Sequence, residues 1–300
     1  RINAKRLERR NKRLEAEVAE RTEELSQEKE KVEAANDILE EKNQDIMDSI
    51  TYARRIQLAI LPEKDQLKRH FPESFVFYKP KDVVSGDFYW WDQRGPLFFA
   101  AAVDCTGHGV PGAFMSVISN NLLTDMVRLT DLKDPKAIME HLDLKMKEVL
   151  KQGQDVENST LDGMDIAMVV YDTEKQCVYF GGAHNPLYLV RDGELLQYAG
   201  SKRAIGGNSL AAAQEVEFES HTVELQPGDV MYMFSDGFQD QFGGERGKKF
   251  TKKRFRNILT ENATKDVKQQ KTILNEAFQD WKADYEQLDD VLVMGLRYTG

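Results

Sequence analysis

Four aspartates stand where apolar runs begin or end. Asp104 closes FFAAAVD, Asp236 follows MYMFS, Asp87 precedes FYWW, and Asp289 opens DDVLVMGL. In an antiparallel sheet the start of one strand lies beside the end of its neighbour, so two starts and two ends can meet at one edge. Crowded carboxylates repel one another, and a hard divalent cation such as Mg²⁺ or Mn²⁺ relieves this by taking their oxygens as ligands. Gly86, Gly107 and Gly237 beside the acids would let backbone and water approach closely. Taken singly, each acid has a plainer reading: Asp-Gly is commonly a turn pair, and it recurs at 162–163 and 192–193.

Other chemistries are poorly supplied. Five dispersed histidines and two cysteines, Cys105 and Cys177, do not assemble the three or four ligands of a zinc site. The loop TGHGVPGAF lacks the GK[ST] ending of a nucleotide P-loop, and no G-x-S-x-G elbow marks a nucleophilic serine, so Ser235 beside Asp236 carries no such role. His108 and His184 could act as general acids, but a loop-stabilising role suits a histidine between glycines, or before Asn-Pro, better.

The elements that must position the acids follow from pattern. SFVFY, DFYWW, PLFFAAAV, DIAMVVY, CVYFGG, PLYLV, ELLQYA, VEFESHTVEL, DVMYMF and DVLVMGLRY read as strands bounded by turn residues. Asp192-Gly193 predicts a two-residue hairpin. Apolar periodicity predicts helices near 111–130, 134–151, 251–263 and 266–283. Many hairpin-linked strands with separated helix pairs predict packed antiparallel sheets with helices outside, an α+β arrangement. The first sixty residues differ. Val18, Leu25, Val32, Leu39 and Ile46 recur every seven residues with no glycine or proline before Pro62, which predicts a coiled coil. Thr22, Lys29, Asn36 and Asn43 fall in the companion row, and buried asparagines there favour a parallel homodimer over a lone solvated helix. The expected domains are a helix over 1–61 and a globular part over 62–300.

A formal net charge of -10 argues against nucleic-acid binding. Two cysteines without a disulfide framework fit a reducing, cytoplasmic setting, and no apolar run approaches a membrane span. The opening on Arg1 in mid-pattern suggests a portion of a longer protein with an upstream sensor region, whose membrane attachment stays open.

The order GDFYW at 86–90, VDCTGHGVPGAFMS at 103–116, GGAHNPLYLV at 181–190, SDGFQDQ at 235–241 and DDVLVMGL at 289–296 resembles the metal-dependent protein phosphatases (PPM, or protein phosphatase 2C-like), in their bacterial SpoIIE/RsbU branch. SITYARRIQLAILP at 49–62 is similar to the helix that leads into that domain. The resemblance implies a four-layer α/β/β/α sandwich with a centre of two Mn²⁺ or Mg²⁺ ions at one end. It implies as ligands Asp87, Asp104 as the bridge, the backbone carbonyl of Cys105, Asp236, and Asp289 in preference to Asp290. Asp162 falls near a third-metal acid of some relatives. The phosphate-binding arginine of eukaryotic members has no counterpart, leaving Lys79 and Lys81 as candidates. The implied activity is hydrolysis of phosphoserine or phosphothreonine by a metal-activated water. The implied substrate is an anti-sigma-factor antagonist or similar STAS-domain protein, with the coiled coil coupling a sensor to activity. A non-catalytic dimeric scaffold and a hydrolase of small phosphoesters are the rivals.

Overall fold

The computed structural model describes residues 2–152, 161–207 and 216–300. It divides into two compact units, Arg1–Tyr52 and Ala53–Gly300. Helix α1 spans Ile2–Ile60. Its sequence is rich in Glu, Lys, Arg and Gln, which lose little rotamer freedom in a helix, and i,i+3 or i,i+4 ion pairs such as Arg21–Glu24 (2.9 Å) and Lys29–Glu33 (3.4 Å) add a few tenths of a kcal/mol each. Pro62 disfavours helical geometry at the residue before it, and the helix stops at Ile60. Every side chain from residue 5 to 49 is exposed in this single chain, the heptad aliphatics included. No helix among the described residues is long and apolar enough to cross a membrane.

The second unit continues through α2 (Lys64–His70), β1 (Glu73–Lys79), β2 (Phe88–Arg94), β3 (Leu97–Cys105), α3 (Gly109–Leu129), α4 (Pro135–Val149), β4 (Gly163–Asp172), β5 (Cys177–Ala183), β6 (Leu187–Arg191), β7 (Glu194–Tyr198), β8 (Ile205–Gly206), β9 (Ser220–Glu224), β10 (Val230–Phe234), α5 (Gly237–Asp240), β11 (Phe242–Gly243), β12 (Lys248–Lys249), α6 (Lys252–Asn262), α7 (Val267–Lys282) and β13 (Val291–Arg297). One antiparallel sheet has the order β1-β13-β10-β6-β7. The other runs β2-β3-β4-β5-β9, with β8 added to β4. Asp192 and Gly193 both take positive φ (50° and 80°), which closes the β6–β7 hairpin as expected.

Strand alternation builds the layers. On β3, Phe98, Ala100 and Ala102 face the other sheet and meet Met231, Met233, Leu292 and Met294. Phe99, Ala101 and Val103 face the opposite way, onto Leu123, Met126, Met139 and Leu142 of α3 and α4. Phe75, Phe77, Phe234 and Val293 cover the outer face of the first sheet under Phe255, Leu274 and Phe278 of α6 and α7. Both faces of the central strands are therefore covered, which is why β3, β4, β10 and β13 are apolar almost throughout, whereas the edge strands β7 and β9 keep polar, exposed positions. The result is the expected four-layer α/β/β/α sandwich. Of the ten expected strands, VEFESHTVEL is the one much shortened, to Ser220–Glu224.

Candidate metal centre

Strand pairing brings the four acids to one end of the two sheets. Phe88 stands opposite Val103, so Asp87, just before β2, neighbours Asp104 near the end of β3. Phe234 stands opposite Val293, which brings the end of β10 beside the start of β13, and the charge of Asp289 reaches Asp236, two residues past β10. The two pairs also act on each other. Burial first, then the charge of Asp104, raises the carboxyl of Asp87 well above its ordinary value, with Asp290 and Asp289 adding to the rise. Burial, then Asp236, Asp165 and Asp289, does the same to Asp104. Burial, Asp240 and Asp289 raise Asp236. Acids from both sheets thus share one electrostatic neighbourhood that resists holding all their negative charges at once.

The donors fit a hard cation. Asp87 is 2% exposed, and its Oδ2 has no hydrogen-bond partner. Such an atom is costly unless a proton or a cation occupies it. The set consists of carboxylate and carbonyl oxygens, the chemistry of Mg²⁺ or Mn²⁺ rather than of zinc. Among the described residues no three His, Cys, Asp or Glu side chains are already drawn into a closed ligand set.

Backbone contacts hold the loops that carry these acids. Asp290 accepts from the amides of Lys81 (2.8 Å) and Gly86 (2.7 Å), which commits its carboxylate to the loop before Asp87 and leaves Asp289 as the outward member of the pair. A Cβ on Gly86 would lie 2.3 Å from the Gly107 carbonyl oxygen, and one on Gly112 2.2 Å from the same atom. Three glycines thus let the Asp87 loop, the loop after Asp104 and the first turn of α3 touch backbone to backbone. The Cys105 carbonyl faces this contact, 3.2 Å from where a Gly86 Cβ would stand. Its thiol points the other way, 3.5 Å from the Ser119 hydroxyl, and burial raises its pKa, so the carbonyl is the part of Cys105 open to the site.

Gln57, 3% exposed in the last turns of α1, was not singled out by sequence. Its Nε2 donates to the Ser85 carbonyl (2.5 Å) and the Ser116 hydroxyl (2.8 Å), and its Oε1 accepts from the Ser85 amide (3.1 Å). Ser85 Oγ in turn accepts from the amide of Asp87 (3.1 Å). One side chain therefore fixes the peptide ahead of the buried Asp87.

The other sequence candidates separate clearly. Lys81 reaches the Nε2 of His108 (3.0 Å), whose Nδ1 meets Asp82 (2.8 Å), so His108 ties the loop before Asp87 to the start of α3. Lys79 instead borders a cavity with Lys268 and Lys271, its carbonyl sharing the Gln287 side-chain amide with that of Asp289. The Ser235 hydroxyl accepts from the amide of Leu292 (3.0 Å), a structural bond between β10 and β13. His184 occupies a left-handed position (φ 57°) after β5, its amide donating to Ser201, and its ring acts on Asp165. The acid that pairing sets opposite Asp104 is Asp165 on β4, raised to about 6 by burial and by Asp236 against the opposing pull of His184. Asp162, the residue weighed for a third metal, lies just before β4, where its backbone carbonyl accepts from Gln152 and Gly207.

The comparisons bear on the family and the fold. The family described as Stage II sporulation protein E (SpoIIE) matches residues 96–299. The solved SiaA-PP2C domain of Pseudomonas aeruginosa is 32% identical, with a TM-score of 0.76 over 85% of this chain and 98% of that one. The PP2C phosphatase domain of SpoIIE from Bacillus subtilis, solved with a fragment of its regulatory domain, is 18% identical (TM-score 0.58), covering 75% of this chain and 63% of that one. RsbX, solved in complex with magnesium, is 14% identical (TM-score 0.50), covering 75% and 94%. No curated protein sequence matches the chain. With its four-layer sandwich and a family match over two thirds of its length, the chain belongs to the SpoIIE family, in the RsbU branch of the metal-dependent PP2C-type serine/threonine protein phosphatases.

Proposed function

We propose that Asp87, Asp104, Asp236 and Asp289, with the backbone carbonyl of Cys105, hold two Mg²⁺ or Mn²⁺ ions, and that the enzyme dephosphorylates serine or threonine on a small regulatory protein of the anti-sigma-factor-antagonist or STAS type. The observation that carries the site is the partnerless, buried Oδ2 of Asp87 among acids that raise one another's pKa. Bound cations supply Lewis-acid chemistry, polarising water and neutralising charge on phosphoryl oxygens. The chain's own residues supply position. Asp104 feels acids of both sheets and is the natural shared ligand, Asp290 and Gln57 hold the loop of Asp87, and Asp165 stands behind Asp104 as an additional acid. Lys81, in the loop that Asp290 anchors, is the better placed of the two lysines to meet a phosphate.

A substrate panel tests this reading. With Mn²⁺ the protein should hydrolyse a phosphoserine peptide faster than ATP, lose that turnover in EDTA and regain it when Mn²⁺ is restored in excess. Preferential ATP hydrolysis would instead favour an enzyme of small phosphoesters, and no turnover of either would favour a scaffold.

The first unit supports a second element of the proposal, a parallel homodimer that conveys an upstream signal. Val18, Leu25, Val32, Leu39 and Ile46 are 54–65% exposed, a seam of seven-residue period that a second copy would cover. Leu25→Lys with Val32→Lys should halve the mass measured by light scattering and change turnover. An unaltered mass would remove the seam as the dimer contact, and a halved mass with unaltered turnover would remove its signalling role.

A further inference from the structure

The densest positive charge in this acidic chain lies beside the candidate metal centre. Seven of the eleven residues from Arg246 to Arg256 are Lys or Arg, although the formal net charge is -10. They run from the β11–β12 hairpin into α6, and the four-residue α5 joins that hairpin to Asp236. Lys249 and Lys252 are near enough for their charges to act on the Asp236 carboxyl.

The hairpin is a fixed platform. A Cβ on Gly243 would fall 1.8 Å from the Trp281 carbonyl oxygen, and one on Gly244 2.9 Å from the Trp281 ring, so the hairpin backbone lies flush on this tryptophan. The indole Nε1 donates to the Gln241 carbonyl (3.0 Å), and the Arg254 guanidinium sits 4.1 Å from the ring centroid. Above Trp281 opens a groove of about 730 Å³ rimmed by Arg246, Lys248, Lys249 and Arg254, with Glu245 the acid on its lining. Lys249 is paired with Asp240 (2.8 Å). Among the described residues Arg246 and Lys248 are exposed and make no ion pair. Solubility does not call for this patch, because the chain already carries a large charge of the opposite sign.

We propose that this groove docks an acidic segment flanking the phosphorylated residue of the protein substrate. The inference rests on the phosphatase reading and deepens it. A phosphoserine adds close to two negative charges, so an acidic flank would be drawn to the rim while its phosphate points to the adjacent acids and their cations.

The test uses two phosphoserine peptides, one flanked by Asp and Glu and one by Lys, with p-nitrophenyl phosphate as a substrate lacking any flank. The acidic peptide should show kcat/KM roughly tenfold above the Lys peptide at low salt, the gap closing as salt rises to about 0.5 M. Arg246→Glu with Lys248→Glu should abolish that preference while p-nitrophenyl phosphate turnover stays within about twofold and the melting temperature is unchanged, as for exposed positions. Equal kcat/KM for the two peptides, or a preference that survives the double variant, would overturn the docking surface. Fluorescence anisotropy of the labelled acidic peptide on the Asp104→Asn protein separates the two readings. Charge-selective binding with no turnover by the wild type would strike the phosphatase reading alone, whereas turnover without charge preference would strike the groove alone.

Discussion

Asp104→Asn should lower phosphopeptide turnover by about 10²–10³-fold, the scale of losing one preorganised electrostatic partner of a transition state, while leaving the fold intact. Asp104 is the acid on which the others converge, so its amide would remove the charge that draws cations from both sheets. Asp87→Asn should be as damaging to turnover but should behave differently when no cation is present. Its carboxylate is buried beside another acid, with one oxygen unpartnered. In EDTA the amide is therefore expected to stabilise the protein by about 1–3 kcal/mol, or a few degrees in Tm. The same physics gives the sign of a pH effect. A carboxyl whose folded pKa is raised favours folding when protonated and loses that contribution as pH rises. For Asp165 the loss runs from its ordinary 3.8 to about 6. Melting in EDTA should therefore fall across that window, and Mn²⁺ should restore stability at neutral pH. Activity of either Asn variant at the wild-type level would remove these residues from the metal centre. An Asp87→Asn protein that melts below wild type in EDTA would mean that its carboxylate is not under electrostatic load.

Gly112→Ala should disrupt the fold and the candidate metal centre together. In an ordinary helix this change stabilises by about 1 kcal/mol, because glycine loses more backbone freedom on folding. Here the added carbon would stand 2.2 Å from the Gly107 carbonyl oxygen and 2.9 Å from the Gly86 Cα, both backbone atoms that cannot rotate away. Relief requires α3 to move from the Asp87 loop, so a loss of about 3 kcal/mol is expected, at the upper end for overpacking, together with most of the turnover. Thermal melting and kcat measured on the same preparation check both effects. A variant that melts higher and works normally would show that the three-glycine contact gives way without cost.

The layers and the four acids were legible in sequence because each depends on local pattern. Apolar runs such as Phe98 to Val103 show strands covered on both faces, and the acids mark where those runs stop. Asp165 was not legible for a reason of register. A hairpin turn fixes which residues face each other, as Asp192-Gly193 does for β6 and β7, but β3 and β4 are separated by two helices and no turn chemistry connects them. Only the observed pairing sets Asp165, rather than Asp162, opposite Asp104. Lys79 and Lys81 were indistinguishable by proximity in sequence. The first ends β1, whereas the second lies in the loop held by Asp290. Gln57 was hidden because it is one polar residue in a polar helix, and its burial comes entirely from contacts distant in sequence.

Gln57 also bears on how chains of this kind can be recombined. The stretch of α1 from Ala53 to Ile60 is an internal part of the catalytic unit, since the amide and carbonyl of Ser85 and the hydroxyl of Ser116 all have their partner there. A gene fusion joined at Pro62 would strip those groups of hydrogen bonds beside Asp87, whereas one joined before Ala53 would leave them satisfied. An upstream module fused as continuous helix inherits a second condition: each residue added or deleted turns one side of the junction by about 100° relative to the other. If the coiled coil conveys a signal as proposed above, exchange of modules would be governed by helical phase. Junctions that differ by a whole number of heptads are equivalent, and the sequence inventory of functional fusions should cluster at those lengths.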